Sequence, residues 1–330
     1  MSARGVYRIL RLPLFVTAVA DVLAGYTVAT LLPRASRAAP DLHAFDWRMA
    51  ALLAGTSAGL YLFGMVENDL ADVRRDRLMK VPRPLVTGEL GVGPAIVLLI
   101  LTAGLAAGCT VGMAVLNAAE HPDQTLGGAV FLAMATFAAI NFYNLAAKSG
   151  PAPVCMTVMG LCRLLNFGIG VAAAVGFPQQ PRPADLMPGG ELWARQAAVI
   201  FFATAMISGY SICARHGLKV SARPWQFAFV ATIIASVGMW LLAGLINPGA
   251  SSPSHGGILA PNHRLFPPLA RAFALAALPL LWPGRLFSPL GPERKPQEYG
   301  KFIERAIYWM ILLDAGFVID AFLLRQGLMQ

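Results

Sequence analysis

The chain has 330 residues, of which 57% are hydrophobic and only 13% are charged, and its mean hydropathy is +0.61. So little polar material could not coat a soluble globule of this length, and the composition therefore predicts a polytopic membrane protein. The 26 Lys and Arg against 17 Asp and Glu give a net charge of +9, but no basic patch interleaved with aromatic residues accompanies this excess. We attribute the excess to cytoplasmic loops and predict no nucleic-acid partner.

Polar, Pro-rich and Gly-rich breaks divide the chain into about nine apolar segments of the roughly 20 residues that a bilayer-spanning helix requires. The segments lie near residues 12–32, 47–67, 91–115, 126–147, 154–176, 194–213, 225–247, 264–282 and 302–324. The predicted fold class is therefore all-α, a membrane bundle of about nine transmembrane helices. If the N-terminus is cytoplasmic, the Lys and Arg residues concentrate in the cytoplasmic loops and the C-terminus lies on the other side.

The first predicted span carries one carboxylate, Asp21, within its apolar run. A charged side chain at the centre of a bilayer costs at least ~2.5 kcal/mol unless it faces a wet cavity or a partner. We predict that Asp21 faces a pocket, with a role in helix packing as the alternative. Ala24 and Gly25 are small enough to be close-packing positions between helices.

Charge of both signs is concentrated just after the second predicted span, in residues 67–88. If the helix continues into this stretch, Asn68, Asp72 and Asp76 lie at i, i+4 and i+8 on one side, and Asp69 lies beside them. Carboxylates this close repel one another unless a cation lies between them, and Mg²⁺ prefers one or two carboxylates together with water and phosphate oxygens. The spacing thus predicts a site for a diphosphate bridged by Mg²⁺.

The same charges allow an alternative, a solvated loop in which Asp72 and Asp76 pair with Arg75. However, the pattern Asn-Asp-x-x-Asp-x-x-x-Asp at the end of an apolar helix, followed by Arg-Pro-Leu-x-x-Gly, resembles the first aspartate-rich motif of the UbiA superfamily of intramembrane prenyltransferases. The positions that match are Asn68, Asp69, Asp72, Asp76, Arg83, Pro84, Leu85 and Gly88.

The resemblance implies a set of roles for these residues. Asn68, Asp72 and Asp76 would bind the Mg²⁺ that carries the diphosphate, while Asp69 and Arg83 would lie near the phosphates. It also implies that residues 1–330 form a single domain, whose helices surround a central cavity to which the first helix contributes.

Two later spans extend the resemblance. The fourth ends with Tyr143 and Lys148; a terminal lysine often reaches only to the membrane interface, but the resemblance implies that Lys148 contacts phosphate and that Tyr143 borders the substrate. In the fifth span, Arg163 and Asn166 share a helix face, and an arginine among leucines needs an anion or carbonyl groups as partners. This segment resembles the arginine-plus-asparagine helix of the superfamily, particularly of its EboC-like branch, and implies that Arg163 faces the cavity near the aspartates.

The sixth span departs from the family pattern. Members of the superfamily carry a second motif, Asp-x-x-x-Asp, at its cytoplasmic end, whereas residues 210–219 of this chain read Tyr-Ser-Ile-Cys-Ala-Arg-His-Gly-Leu-Lys. We predict that Arg215 pairs with the diphosphate directly, as arginine does with phosphate elsewhere. The alternative for Arg215 is ordinary cytoplasmic loop charge. In the ninth span, Asp314 is predicted to face the cavity, and Asp320 lies nearer the outer interface.

The predicted function is the Mg²⁺-dependent transfer of a prenyl group from an isoprenyl diphosphate to a lipophilic or aromatic acceptor, within the bacterial inner membrane and in contact with its lipids. The predicted catalytic residues are Asp72, Asp76, Lys148 and Arg163, and the predicted substrate-binding residues are Asp21, Asn68, Asp69, Arg83, Tyr143, Asn166 and Arg215. Because the second acidic motif is missing, a non-catalytic relative that binds or transports an isoprenoid or lipid-like metabolite is the alternative. A transporter unrelated to prenyl chemistry is a third possibility, and the specificity of the first motif argues against it.

Overall fold

The structure is a computed structural model that describes residues 2–31, 45–122, 124–150, 152–175 and 177–178. The helices in these residues are α1 (Ala3–Leu10), α2 (Leu12–Leu31), α3 (Trp47–Leu78), α4 (Pro84–Thr87), α5 (Val92–Glu120), α6 (Gly127–Leu145) and α7 (Ala152–Val175), with a 3-10 turn at Ala147–Ser149 after α6. Two short strands, β1 (Gln124–Thr125) and β2 (Phe177–Pro178), pair antiparallel. The last four predicted spans, together with Arg215, Asp314 and Asp320, lie outside the described residues.

The helices of the described part are those of a membrane protein, as predicted. α3, α5 and the stretch Gly127–Ser149 are each long and apolar enough to cross a bilayer, and α1 with α2 would form a fourth such segment, bent by 44°. α5 exposes Ile100, Leu101 and Val111, apolar side chains that a water-facing helix would not carry in such number. The first five predicted spans correspond to α2, α3, α5, α6 and α7; the count of nine stays a prediction.

Small residues bring the helices close together. α2 packs along α7, α3 packs along α5, and α6 contacts both α7 and α3. A Cβ atom on Gly25 would overlap the Phe167 carbonyl of α7, and one on Gly59 would lie 2.6 Å from the backbone nitrogen of Ala106 in α5. The prediction that Gly25 is a close-packing position is therefore confirmed. Val22, Leu53, Met113 and Ile169 fill the core between these helices.

The length of α3 positions the candidate site. Its 32 residues span about 48 Å, whereas the hydrocarbon core of a bilayer is about 30 Å thick. The helix begins after Asp46, whose Oδ1 accepts a hydrogen bond of 2.8 Å from the backbone of Arg48. It ends where Lys80 adopts a left-handed conformation (φ 50°) and the Val81 amide donates to the Asp76 carbonyl at 2.9 Å. The acidic stretch is thus the last turns of this helix, as the helical interpretation predicted, and it is not a loop.

Candidate functional site

The acidic face of α3 is formed as its spacing predicts. Asn68, Asp72 and Asp76 occupy successive turns of one side, because α3 is continuous through all three. Asn68, Asp69 and Asp76 are buried. Burial of three acidic or amide side chains near one helix end is costly unless each has a partner, so the neighbouring elements must supply cations or donors.

The first cation is Lys148, in the 3-10 turn that follows α6. Its Nζ lies 3.0 Å from Asp72 Oδ1 and donates to Asn68 Oδ1 at 3.3 Å. Only 12% of this side chain is exposed, so Lys148 lies between two of the predicted metal ligands instead of extending to the membrane interface. Its contact with phosphate stays a prediction.

The second cation is Arg83, which precedes α4 as its N-cap residue. Arg83 Nη1 donates to Asp69 Oδ1, and its Nε lies 3.1 Å from Asp76 Oδ2. Asp69 Oδ1 also accepts a hydrogen bond of 3.3 Å from Arg11, at the junction of α1 and α2. Asp69 therefore lies between two guanidinium groups and binds both.

These ion pairs join different elements. The partners of Asp72 and Asp76 come from the turn after α6 and from the segment before α4, and Arg75 is exposed. Within the described part of the chain, Arg75 forms no ion pair with either aspartate. The arrangement is a convergence of four segments at one end of the bundle, and the solvated, self-paired loop does not form.

The oxygen donors fit a magnesium ion that arrives with phosphate. Across the described ranges, no three His, Cys, Asp or Glu side chains are arranged to hold a metal by themselves. Mg²⁺ does not need such a cage, because it is satisfied by one or two carboxylates, water and substrate phosphate oxygens. Asn68, Asp72 and Asp76 supply such a set. In this structure Asp76 Oδ2 is buried 3.1 Å from Arg83 Nε, and oxygens of Asp72 and Asn68 face Lys148 Nζ.

Sequence reasoning missed several supporting residues. Asn144 of α6 donates to Glu67 Oε2 at 2.8 Å and to the Gly64 carbonyl at 3.0 Å. These bonds hold α6 against α3 at a point four residues before Lys148. An asparagine in an apolar helix beside the predicted phosphate ligand was the available signal for this contact. By sequence Arg11 belongs to the positive charge expected on the cytoplasmic side of the first span, and nothing in its local sequence indicates Asp69 as its partner.

Asp21 and Arg163 lie against each other between α2 and α7. Arg163 Nη2 donates to Asp21 Oδ1 at 2.8 Å, and its Nε lies 2.7 Å from Oδ2, so the ion pair includes one charge-assisted hydrogen bond. Arg163 Nη1 also donates to Thr17 Oγ1 at 3.1 Å, and Asn166 donates to the Ala18 carbonyl at 2.7 Å. The helix-packing alternative for Asp21 is therefore the contact observed. Its predicted place in the substrate pocket, like those of Arg163, Asn166 and the half-buried Tyr143, stays a prediction.

A cavity of about 580 Å³ opens at the opposite end of α3, where Trp47, Arg48, Asn117 and Glu120 line it. Along the helix this end is about 30 Å from Asn68, so the cavity contains none of the predicted site residues. Arg48 Nη2 donates to Glu120 Oε1 at 2.5 Å. Desolvation opposes ionisation of Asp46, but the hydrogen bonds and charge of Arg48 outweigh it and hold the pKa of Asp46 below its ordinary value.

Solved structures of UbiA-type proteins have the same fold. The apo structure of a UbiA homolog from Aeropyrum pernix K1 matches with a TM-score of 0.55 and 19% identity, over 92% of this chain and 97% of that one. A UbiA homolog from Archaeoglobus fulgidus, bound to GPP and Mg²⁺, matches with a TM-score of 0.52 and 17% identity, over 96% and 99% of the two chains. A digeranylgeranylglyceryl phosphate synthase matches with a TM-score of 0.52 and 15% identity, over 97% and 98%.

No family model matches the chain, and no curated protein matches it. The structural matches show that the chain has the fold of these UbiA homologues, which is the fold that the resemblance implies. The EboC-like branch stays a prediction.

Proposed function

We propose that this chain, which has the fold of the UbiA homologues, transfers a prenyl group from an isoprenyl diphosphate to a lipophilic or aromatic acceptor within the membrane. One observation carries the proposal: the oxygen donors Asn68, Asp72 and Asp76 meet Lys148 and Arg83 at one end of an apolar bundle. The metal requires acidic oxygens and the diphosphate requires cations, so both must lie in one place. The prenyl chain requires the apolar side chains of the bundle. The homolog bound to GPP and Mg²⁺ supports this substrate class.

In the proposed reaction the bond between the allylic carbon and the diphosphate oxygen breaks, and its electron pair leaves with the diphosphate. Lys148 and Arg83 compensate the charge of the departing group, since cations fixed in a site of low dielectric stabilise it without reorganisation. Asn68, Asp72 and Asp76 would hold Mg²⁺, which as a Lewis acid would further stabilise the diphosphate oxygens. The surrounding apolar helices exclude water from the allylic cation until the acceptor attacks it. This attack forms the new bond to the allylic carbon, and the proton that the acceptor loses passes to the released diphosphate.

The remaining predicted residues have proposed places around this centre. Tyr143 and Asn166 border the prenyl chain, and Asp21 holds Arg163 at the same wall. Arg215, outside the described residues, provides the positive charge on the side where the family has its second acidic motif. We further propose that residues 1–330 form one domain in the bacterial inner membrane, with a cytoplasmic N-terminus and with the site at the cytoplasmic face.

A second candidate function follows from one feature of the sequence. No carboxylate occurs between Glu191 and Glu293, so the chain cannot supply a second acidic set from that region. A non-catalytic relative that binds or transports an isoprenoid or lipid-like metabolite would retain the first set alone. The variant Arg215→Ala tests whether Arg215 replaces the missing second acidic set. If Arg215 pairs directly with the diphosphate, the variant should bind it roughly tenfold more weakly. If Arg215 is ordinary loop charge, binding should not change.

The experiment that separates the two functions uses the purified protein in detergent with radiolabelled geranyl, farnesyl and geranylgeranyl diphosphates, with and without Mg²⁺. Binding and release of diphosphate are measured separately. Mg²⁺-dependent binding followed by release supports the transferase, and binding without release supports the non-catalytic relative. If none of the three compounds binds, the proposed transferase is wrong.

A further inference from the structure

The short N-terminal helix α1 is bonded to residues 79–91, the segment that connects α3 with α5. Arg8 Nη1 lies 2.5 Å from Glu89 Oε1, and Arg8 Nη2 donates to the Pro82 carbonyl at 2.6 Å. The Ser2 amide and hydroxyl both donate to the Glu89 carbonyl, at 3.3 Å and 3.1 Å. The connecting segment is thus held at both of its ends by one helix.

The apolar side of α1 packs on the same segment. Ile9 and Leu10 are buried in a cluster with Val66 of α3, Leu85 of α4 and Leu90. Gly5 lies so close to the segment that a Cβ atom there would be 2.8 Å from the Glu89 carbonyl oxygen. The contact therefore combines apolar burial with directional hydrogen bonds, and it leaves the segment little freedom to move independently of α1.

The fastened segment carries Arg83, directly after the Pro82 carbonyl that Arg8 binds. At the end of α1, Arg11 adopts a left-handed conformation (φ 47°, ψ 46°) that residues other than glycine rarely take. From there its guanidinium reaches Asp69 Oδ1, the oxygen that Arg83 also binds. Arg83 also lies 3.1 Å from Asp76 Oδ2, so it has two carboxylate partners. Within the described residues, Arg11 forms an ion pair only with the oxygen that it shares with Arg83, at 3.3 Å, and it is therefore the less neutralised of the two cations.

We propose that α1 is part of the diphosphate site. Arg8 is a positioning residue that fixes the segment carrying Arg83, Asp69 anchors the two guanidinium groups, and Arg11 is an additional cation that contacts the diphosphate. In this proposal Asp69 holds the two arginines and does not bind the metal, whereas Asp72 and Asp76 bind the metal, although Asp76 also lies 3.1 Å from Arg83. This inference rests on the proposed function, because the ligand it names is the diphosphate of that substrate.

The test measures the affinity of the full chain for geranylgeranyl diphosphate with Mg²⁺, and its affinity for the alcohol geranylgeraniol by competition. Arg8→Ala and Glu89→Gln should each weaken diphosphate binding by roughly tenfold, the loss typical of one charge-assisted contact. The double variant should be no weaker than either single variant, because both changes release the same segment. Arg11→Ala should weaken diphosphate binding directly, and none of these variants should change the affinity for the alcohol.

Arg4→Ala is the matched control, since Arg4 is an exposed arginine on the same helix, and it should leave both affinities unchanged. Equal losses of affinity for the diphosphate and the alcohol would show that α1 only stabilises the fold. Additive losses of diphosphate affinity in the double variant would show that Arg8 and Glu89 act separately. Either result overturns this inference but not the proposed function. If the unaltered protein binds no diphosphate, the proposed function fails and this inference fails with it.

Discussion

At the scale of single residues, Asp21 and Arg163 place a full pair of opposite charges between α2 and α7. Asp21 is completely buried, and an isolated carboxylate at that depth would be expelled or protonated. The ion pair with Arg163, together with the hydrogen bond from Arg163 to Thr17, compensates the cost of burying this charge. The pair therefore fixes the position of α2 against α7.

Removing one partner of this pair should be far worse than removing both. Asp21→Ala leaves an arginine without its carboxylate and should destabilise the protein by about 3 kcal/mol. Asp21→Leu combined with Arg163→Met replaces the pair by apolar volume and should recover most of that loss. Thermal unfolding in detergent measures both. A single Asp21→Ala variant as stable as the parent would show that the pair does not hold the helices together.

The residues of the acidic face could be predicted from sequence because the i, i+4 spacing is a local property of a helix. Their partners could not, because the pairs are distant in sequence: 58 residues separate Arg11 from Asp69, and 80 separate Lys148 from Asn68. The resemblance to a family supplied Lys148 and Arg83. Arg11 has no matching motif, and only the packed structure brings it to the site.

At the scale of helices, two glycines allow α2 and α7 to touch. Cβ atoms on Gly25 and Gly170 would overlap the carbonyl groups of Phe167 and Val22 respectively. Gly170→Ala should therefore push the helices apart and destabilise the protein by about 1–3 kcal/mol.

Gly108→Ala in α5 is the matched control for the glycine prediction, because a Cβ atom there meets nothing within 4 Å. It should be neutral or stabilising, by up to about 1 kcal/mol, since alanine favours a helix more than glycine does. The thermal unfolding midpoints of Gly170→Ala and Gly108→Ala, compared with that of the parent, measure the difference. Equal effects would show that the α2–α7 contact is looser than described.

The start of α3 yields a prediction about pH. The pKa of Asp46 is lowered because Arg48, through its hydrogen bonds and charge, outweighs the opposing effect of desolvation. A carboxyl whose pKa is lowered by folding stabilises the protein above its unfolded pKa of about 4 and loses this contribution as the pH falls through the folded value. Asp46→Asn keeps the cap but not the charge, so the parent should be more stable at pH 7, and the difference should vanish towards pH 3. A difference that is constant with pH would contradict this account.

Sequence patterns located the helices better than their ends. The apolar segments predicted α2, α3, α5, α6 and α7, but α3 runs to Leu78, beyond the predicted end near residue 67. A hydropathy pattern stops where charge begins, whereas a helix continues as long as its backbone bonds are made and its polar groups find partners. Here the cations of neighbouring segments supply those partners, so the acidic turns lie beyond the apolar segment.

At the scale of the whole molecule, the distribution of Lys and Arg predicts the topology. A reporter fused after Leu90 should be cytoplasmic, one fused after Pro122 should be external, and one fused at Gln330 should also be external, since nine spans place the two termini on opposite sides. Two reporter enzymes, one active only in the cytoplasm and one active only outside, measure the side of the membrane on which each fusion point lies. Cytoplasmic signals at both Leu90 and Gln330 would remove one span from the count, and the eighth, interrupted by Pro267, Pro268 and Arg271, is the first candidate.

The acidic end of α3 is proposed to bind a diphosphate through Mg²⁺. The direct measurement is the Mg²⁺ dependence of geranylgeranyl diphosphate binding to the purified protein, its Asp72→Asn variant and its Asp76→Asn variant, with Glu120→Gln at the far end of the bundle as the control for loss of one acidic group. We predict that Asp72→Asn and Asp76→Asn each abolish the Mg²⁺-dependent part of binding while the protein stays folded, and that Glu120→Gln leaves it intact. Unchanged Mg²⁺ dependence in both aspartate variants would show that the cluster is only a network of salt bridges, and would contradict the account.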